Sequence, residues 1–199
     1  PKQDDRLATE LRESLIGLIA NEPYSLGLKS PRDPRILEAM GQVDRAEFLP
    51  DATFCFYAAD PKMVERVLKQ VPFIEKNPEV VPPLFNNALN TIITSKCLIA
   101  PLRALAYNDA PLGIGHNQTC SQPSMVAFMS DVLELERGMR VLEIGSGCGY
   151  QAAVMLHLLG ETGFYLGIER IKKLADFGRD NLESHFKEEE GKRWRIVHG

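Results

Sequence analysis

The chain has little cysteine, and none of it is patterned: Cys55, Cys97, Cys120 and Cys148 lie scattered through 199 residues, with no Cys-x-x-Cys pair and no histidine at ligand spacing. That argues against a structural zinc site and a disulfide framework, and fits free thiols in a reducing compartment. No metal is expected. No apolar run approaches the roughly twenty residues of a membrane span, and the opening PKQDDRLATE has no apolar core of a signal peptide. The expectation is a cytoplasmic protein that does not engage a membrane. With a formal net charge of -4 there is no electrostatic reason to expect nucleic acid, which leaves small molecules or other proteins as partners. Hydrophobic residues at 44% and charged residues at 25% are ordinary for a globular chain of one domain, or one and a half.

What is present is helix and strand signal at the two ends. In LATELRESLIGLIA, Leu7, Leu11, Leu15, Leu18 and Ile19 recur at three- and four-residue spacing, which predicts an amphipathic helix packed on the body. DPRILEAMGQV predicts a second, with Asp33 as N-cap and Pro34 at the first helical position, and DRAEFLP closes an N-terminal helical segment, 1–50. From 51 to 106 the pattern fails: PKMVERVLKQV looks helical, but KNPEVVPPLFNN is broken by prolines, so this stretch reads as an atypical insertion.

Residues 107–199 carry the organised part. SQPSMVAFMSDVLEL predicts a helix with Pro123 near its start and Met125, Val126, Met129, Val132 and Leu133 on one face. GMRVLEIG reads as a buried strand, YQAAVMLHLLG as a helix ending at Gly160, GFYLGIE as a strand, RIKKLADFGRDNLESHF as a helix and RWRIVHG as a third strand. This alternation predicts an α/β fold, a doubly wound, Rossmann-like parallel sheet with right-handed crossovers. His157, His185 and His198 show no evident partner, and 187–193 reads as a solvated loop.

The chemistry concentrates in VLEIGSGCGYQAA. Gly145, Gly147 and Gly149 fall at a strand-to-helix junction, where backbone must take positive φ or approach a ligand closely. The third glycine of the dinucleotide fingerprint G-x-G-x-x-G is absent, as is the G-K-[ST] of a P-loop, so a pyrophosphate is disfavoured. Glu169 ends the next strand, where a carboxylate can accept hydrogen bonds from both ribose hydroxyls. A nucleoside without phosphate fits, and S-adenosyl-L-methionine is the cofactor expected. Ser146, Tyr150 and Arg170 complete the candidate cofactor set, and Glu143 either supports the turn or touches the methionine part. Cys148 reads as a small residue that merely fits. The plain alternative is a tight turn with no ligand.

IGHNQTCSQPSMVAFM followed by VLEIGSGCGYQAAVM resembles the protein-L-isoaspartate O-methyltransferases, in which a Q-T-[IV]-S-[QA]-P segment precedes the first methyltransferase motif by one helix. The likeness extends through ILEAMGQVDRAEFLP and YNDAPLGIG. It implies a class I S-adenosylmethionine-dependent methyltransferase, a monomer when complete, that methylates the free carboxylate of L-isoaspartyl residues in damaged proteins. It also implies that Ser121 is the active-site serine and that Thr119 and Gln118 shape the same loop; His116 is a candidate substrate contact, with a solvated loop histidine as the favoured reading. An α-carboxylate with a pKa of about 3.3 to 3.9 is already ionised, so Ser121 would position it and no general base is needed. For Ser121 a helix-capping role is the alternative. The chain departs from the family twice. Roughly fifty residues separate FLP from Y-x-D-x-P-L, and the sequence stops at RIVHG, where the family continues with an Asp-Gly pair and the remaining strands. The C-terminal strands are therefore expected to be missing, leaving an apolar sheet edge open. Two other readings stand beside the repair enzyme: a truncated, catalytically inactive member of the family, or a class I methyltransferase with another acceptor.

Overall fold

The structure, a computed structural model, describes residues 2–21, 31–50, 53–57, 97–101 and 105–199. The chain forms two compact units, one of Pro50–Leu105 and one of Pro1–Leu49 with Ala106–Gly199. In the smaller unit, β1 (Thr53–Tyr57) pairs antiparallel with β2 (Cys97–Pro101), Cys55 opposite Ile99. The expected helix PKMVERVLKQV and the proline-broken stretch lie outside the described residues.

The larger unit opens with α1 (Lys2–Asn21), which buries Leu15 and Ile19 while Leu18 turns outward. In α2 (Pro34–Gln42) the Asp33 side chain accepts from the Arg35 amide at 2.9 Å and Pro34 fills the first position, as its sequence requires. Ile36, Ala39 and Met40 are its buried stripe. A short helical turn, Arg45–Phe48, follows, capped by Asp44 through the Ala46 amide.

IGHNQTC is not the loop that its sequence suggested. β3 (Leu112–Gly115) and β4 (Gln118–Cys120) form an antiparallel hairpin whose two turn residues, His116 and Asn117, both take positive φ, 53° and 56°. Two such residues in succession match the right-handed twist of a hairpin, and Asn tolerates the conformation well. α3 (Pro123–Val132) is shorter than its apolar spacing predicted. It ends before the positive-φ Glu134, so Val132 and Leu133 are exposed while Val126, Ala127 and Ser130 face the core.

The sheet that follows has strand order β5-β6-β7, all parallel, built from β5 (Arg140–Ile144), α4 (Tyr150–Leu159), β6 (Phe164–Glu169), α5 (Lys172–His185) and β7 (Trp194–His198). Leu142 stands opposite Leu166, and Leu166 opposite Arg195. Because both right-handed crossovers step in the same direction, α4 and α5 cover the same face. Tyr165, Trp194 and Ile196 are buried beneath them, and α2 packs in turn against α4. The other face is open among the described residues: Leu142 and Ile144 on the edge strand β5 are 59% and 73% exposed.

Two sequence expectations are corrected here. His157 and His185 do have partners: their Nε2 atoms lie 3.2 Å apart, packed against Phe186, while His198 Nε2 meets the Arg170 carbonyl. Burial holds His157 down to about 4, helped by His185 and Arg193, so it is neutral at physiological pH. Nor is 187–193 simply a solvated loop, since Arg193 donates to the carbonyls of Leu156 and Gly160 and pairs with Glu189 at 2.6 Å, closing the end of α4. Among the described residues no helix is long and apolar enough to cross a membrane, and no group of three or more His, Cys, Asp or Glu side chains could hold a metal ion.

Candidate functional site

The glycine turn leaves the carboxyl end of β5, the place where an open α/β sheet binds its ligand. Gly145, Gly147 and Gly149 all take positive φ, 87°, 52° and 85°. The amides of Gly145 and Ser146 donate to the Ile168 carbonyl, the Gly147 amide to Glu169 Oε2 at 3.0 Å, and the Gly149 amide to the Ser146 carbonyl. Each of these four donors is committed within the protein and is not free for a phosphate. What the turn offers instead is an acceptor. Glu169 is buried, its two oxygens held by the Gly147 and Ile171 amides, and each oxygen keeps a further lone pair. Beside Gly145 an added Cβ would meet nothing within 4 Å, so the turn borders open space.

Close packing fixes the turn from below. A Cβ on Gly178 of α5 would fall 2.6 Å from the Gly147 carbonyl, and one on Gly167 of β6 would fall 2.8 Å from both Ser146 Cβ and the Tyr165 hydroxyl. Neither glycine stood out in the sequence, because each is needed for an approach between segments distant along the chain. Glu143, half-buried on β5, accepts a short hydrogen bond from the Tyr165 hydroxyl. Burial pushes its carboxyl up to about 7, against that hydrogen bond and with the Glu169 charge nearby.

The hairpin stands against this turn. Ile114 Cδ1 lies 3.3 Å from where a Gly147 Cβ would be, and the buried Cys120, one residue before Ser121, donates weakly from Sγ to the Ser121 carbonyl at 3.7 Å. Ser121 is not the cap of α3. That role belongs to Asp109 of YNDAP, whose carboxylate accepts from the Ser124 amide at 2.7 Å. The Ser121 hydroxyl makes no hydrogen bond among the described residues. Its carbonyl, with those of Ala106 and Ala110, accepts from Arg45 at 2.9 Å. Arg45 is buried with no carboxylate partner among the described residues, and its fork clamps YNDAP to QTCS. DRAEFLP contains this arginine, but only the fold shows what it reaches.

The remaining candidates scatter. His116 is exposed at the hairpin tip, Thr119 is exposed opposite Gly113, and Gln118 Nε2 donates to the carbonyls of its own turn. Arg170 is exposed beyond Glu169. The Tyr150 side chain, taken from sequence as a cofactor contact, is buried in the core, edge-on to Phe48 and under the Arg45 guanidinium. A cavity of about 470 Å³, lined by Arg137, His157, Gly160, Thr162, Phe186 and Arg193, lies at the amino ends of the strands, opposite the glycine turn.

A parallel sheet with helices crossing it, a glycine turn at the carboxyl end of β5 and an acidic residue ending β6 define the class I S-adenosylmethionine-dependent methyltransferase fold. Two solved structures share it at a TM-score of 0.56. One, a protein-L-isoaspartate O-methyltransferase, is 24% identical, with 94% of this chain and 42% of that chain covered. The other, from Plasmodium falciparum, is described as a protein-L-isoaspartate O-methyltransferase in complex with S-adenosyl-L-homocysteine; it is 20% identical, with 94% and 62% covered. The family model for protein-L-isoaspartate(D-aspartate) O-methyltransferase matches residues 74–198, and the chain belongs to that family. Among curated relatives, the protein-L-isoaspartate O-methyltransferase of Methanothrix thermoacetophila is 56% identical over 82 residues, 41% of this chain and 39% of that protein. That of Methanopyrus kandleri is 40% identical over 128 residues, 64% of this chain and 54% of that protein. The chain thus spans about half the length of the curated relatives it matches, or less.

Proposed function

We propose that the protein transfers a methyl group from S-adenosyl-L-methionine to the free carboxylate of L-isoaspartyl residues in damaged proteins, a repair reaction. The observation that carries this reading is the packing of the β3–β4 hairpin, which leads into Ser121, against a glycine turn beside the spare acceptor oxygens of Glu169. Glu169 would take the ribose hydroxyls on its spare lone pairs, beside Gly145, Ser146, Gly147 and Gly149. Glu143 shapes the floor, with Arg170 at the rim and Tyr150 contributing backbone only. When bound, the cofactor supplies an electrophilic methyl on a sulfonium. Ser121, with its uncommitted hydroxyl, would hold the acceptor carboxylate in line with it, while Thr119, Gln118 and His116 form the exposed rim where a peptide would lie. No proton transfer is needed, because the acceptor is already an anion at neutral pH. Alignment and exclusion of water do the work. Family membership supports the substrate, and the free thiols Cys120 and Cys148 suit a reducing compartment, the cytoplasm. In this reading the complete protein is a monomer whose partners are isoaspartyl proteins, without nucleic acid or membrane.

The test is methyl incorporation into an L-isoaspartyl peptide, with the L-aspartyl peptide as control. Ser121→Ala should lower turnover by roughly ten- to a hundredfold, the effect of removing one hydrogen bond to a charged group in the transition state. Binding of S-adenosyl-L-homocysteine should stay nearly intact. Equal methylation of both peptides, or of neither, would overturn the assignment.

A further inference from the structure

A buried cation stands behind the acceptor segment, and the reaction proposed above gives it no part. Arg45 has no carboxylate partner among the described residues. Its Nη1 donates to the carbonyls of Ala106 and Asn108 at 2.9 and 3.3 Å, and its Nη2 to those of Ala110 and Ser121, each at 2.9 Å. A buried charge is a costly way to hold a fold together, because an apolar side chain of similar volume serves stability as well or better. What a guanidinium adds is direction: one planar fork reaches carbonyls of two segments at once.

Those two segments are the ones that set Ser121. It lies between the end of β4 at Cys120 and the start of α3 at Pro123, and its hydroxyl makes no hydrogen bond among the described residues, so its position is set through its backbone. Arg45 holds that backbone directly, at the Ser121 carbonyl. It also holds it indirectly: Asp109 caps the Ser124 amide at 2.7 Å, and the residues on either side of Asp109, Asn108 and Ala110, both give their carbonyls to Arg45. The guanidinium carbon lies 5.8 Å from the centre of the buried Tyr150 ring, and Tyr150 directly follows Gly149. One side chain thus spans from the acceptor segment to the end of the glycine turn.

We propose that Arg45 is a positioning residue for methyl transfer, which fixes the Ser121 hydroxyl relative to the glycine turn so that the acceptor carboxylate is held in line with the methyl group. This rests on the function proposed above. Arg45 touches neither cofactor nor acceptor and acts through Ser121. Alignment is the main work left when the acceptor is already ionised, and a displacement of about 1 Å from the reacting geometry can cost roughly a hundredfold in rate. Binding does not pass through Arg45: Glu169 is held by the Gly147 and Ile171 amides, and the peptide rim is the hairpin tip. The loss on changing Arg45 therefore belongs in kcat.

The test is a double-mutant cycle on methyl transfer to the L-isoaspartyl peptide, with Arg45→Lys, Ser121→Ala and the two combined. Folded protein is counted by titration with S-adenosyl-L-homocysteine, so that lost stability does not enter the rates. Arg45→Lys should lower kcat by roughly ten- to a hundredfold, while KM for the peptide and the dissociation constant of S-adenosyl-L-homocysteine change by less than about threefold. In the Ser121→Ala background the same substitution should lower kcat by less than about threefold more, because the group through which Arg45 acts is gone. Arg45→Gln takes the place of Arg45→Lys if that variant binds no S-adenosyl-L-homocysteine, with the same expectations. The proposal is overturned if the two losses multiply, or if kcat is unchanged whatever happens to KM. It is also overturned if neither Arg45 variant binds S-adenosyl-L-homocysteine, since Arg45 then supports the whole unit. A wild type that methylates the isoaspartyl and aspartyl peptides equally, or neither, overturns the repair reading and this inference with it. A wild type selective for isoaspartate whose variants multiply overturns this inference alone.

Discussion

Glu143 and His157 titrate against each other. The folded pKa of Glu143 is raised from its ordinary 4.5 to about 7, so the native state binds a proton more tightly than the unfolded chain. Its contribution is full below about 4.5 and is lost as pH rises through 7. His157 is depressed from 6.5 to about 4, so the unfolded chain binds its proton more tightly, and stability rises between those values. The two slopes oppose each other over most of the same window. Urea unfolding from pH 4 to 7.5 should give a nearly flat profile for the wild type, whereas Glu143→Gln should climb with pH and exceed the wild type above 7. Parallel profiles for the two proteins would show that Glu143 is not protonated in the native state. At this scale the sequence was partly legible. Glu169 and the three glycines declare themselves by spacing at a junction, but Tyr165, which sets the environment of Glu143, sits in a strand pattern where any large apolar residue would read the same.

At the scale of elements, the strand–helix alternation, the helix start at Asp33 and Pro34 and the parallel sheet were readable because each depends on local pattern. The β3–β4 hairpin was not, since its turn is His-Asn and not a glycine pair, and three-residue strands carry little periodicity. Arg45 was hidden for a different reason: it acts on carbonyls 61 to 76 residues away. Those contacts make a prediction. Arg45→Lys keeps the charge but replaces a planar fork with a point donor, so at least one buried carbonyl among Ala106, Ala110 and Ser121 loses its partner. The cost should be on the order of 1–3 kcal/mol for each carbonyl so left. Urea unfolding measures the total. Hydrogen exchange should locate it, with faster exchange at the hairpin amides of 112–120 and in α3 than in β6. If exchange accelerates uniformly, Arg45 supports the whole fold and does not clamp the acceptor segment in particular.

The larger unit is asymmetric about its sheet. Helices α4 and α5 bury Tyr165, Trp194 and Ile196 on one side, and α1, α2 and α3 add a further layer there. On the other side Leu142 and Ile144 face solvent, with Met139 40% exposed just before them. An apolar run such as VLEI is the pattern of a parallel strand covered on both faces, and among the described residues it is covered on one. It is also an edge strand among the described residues, so its unpaired backbone and its bare side chains lie together, the combination that favours strand-to-strand association. Residues 1–199 expressed by themselves should therefore bind the dye ANS in the folded state and show a sedimentation coefficient that rises with concentration. Leu142→Thr together with Ile144→Thr should reduce both effects. Threonine keeps the β-branched shape that suits a strand, and these side chains are largely in solvent already, so the double variant should lose no more than about 0.5 kcal/mol of stability. A wild-type chain that stays monomeric and dark to the dye would mean that this face is covered. A double variant that unfolds would mean that Leu142 and Ile144 pack against something that the described residues do not include.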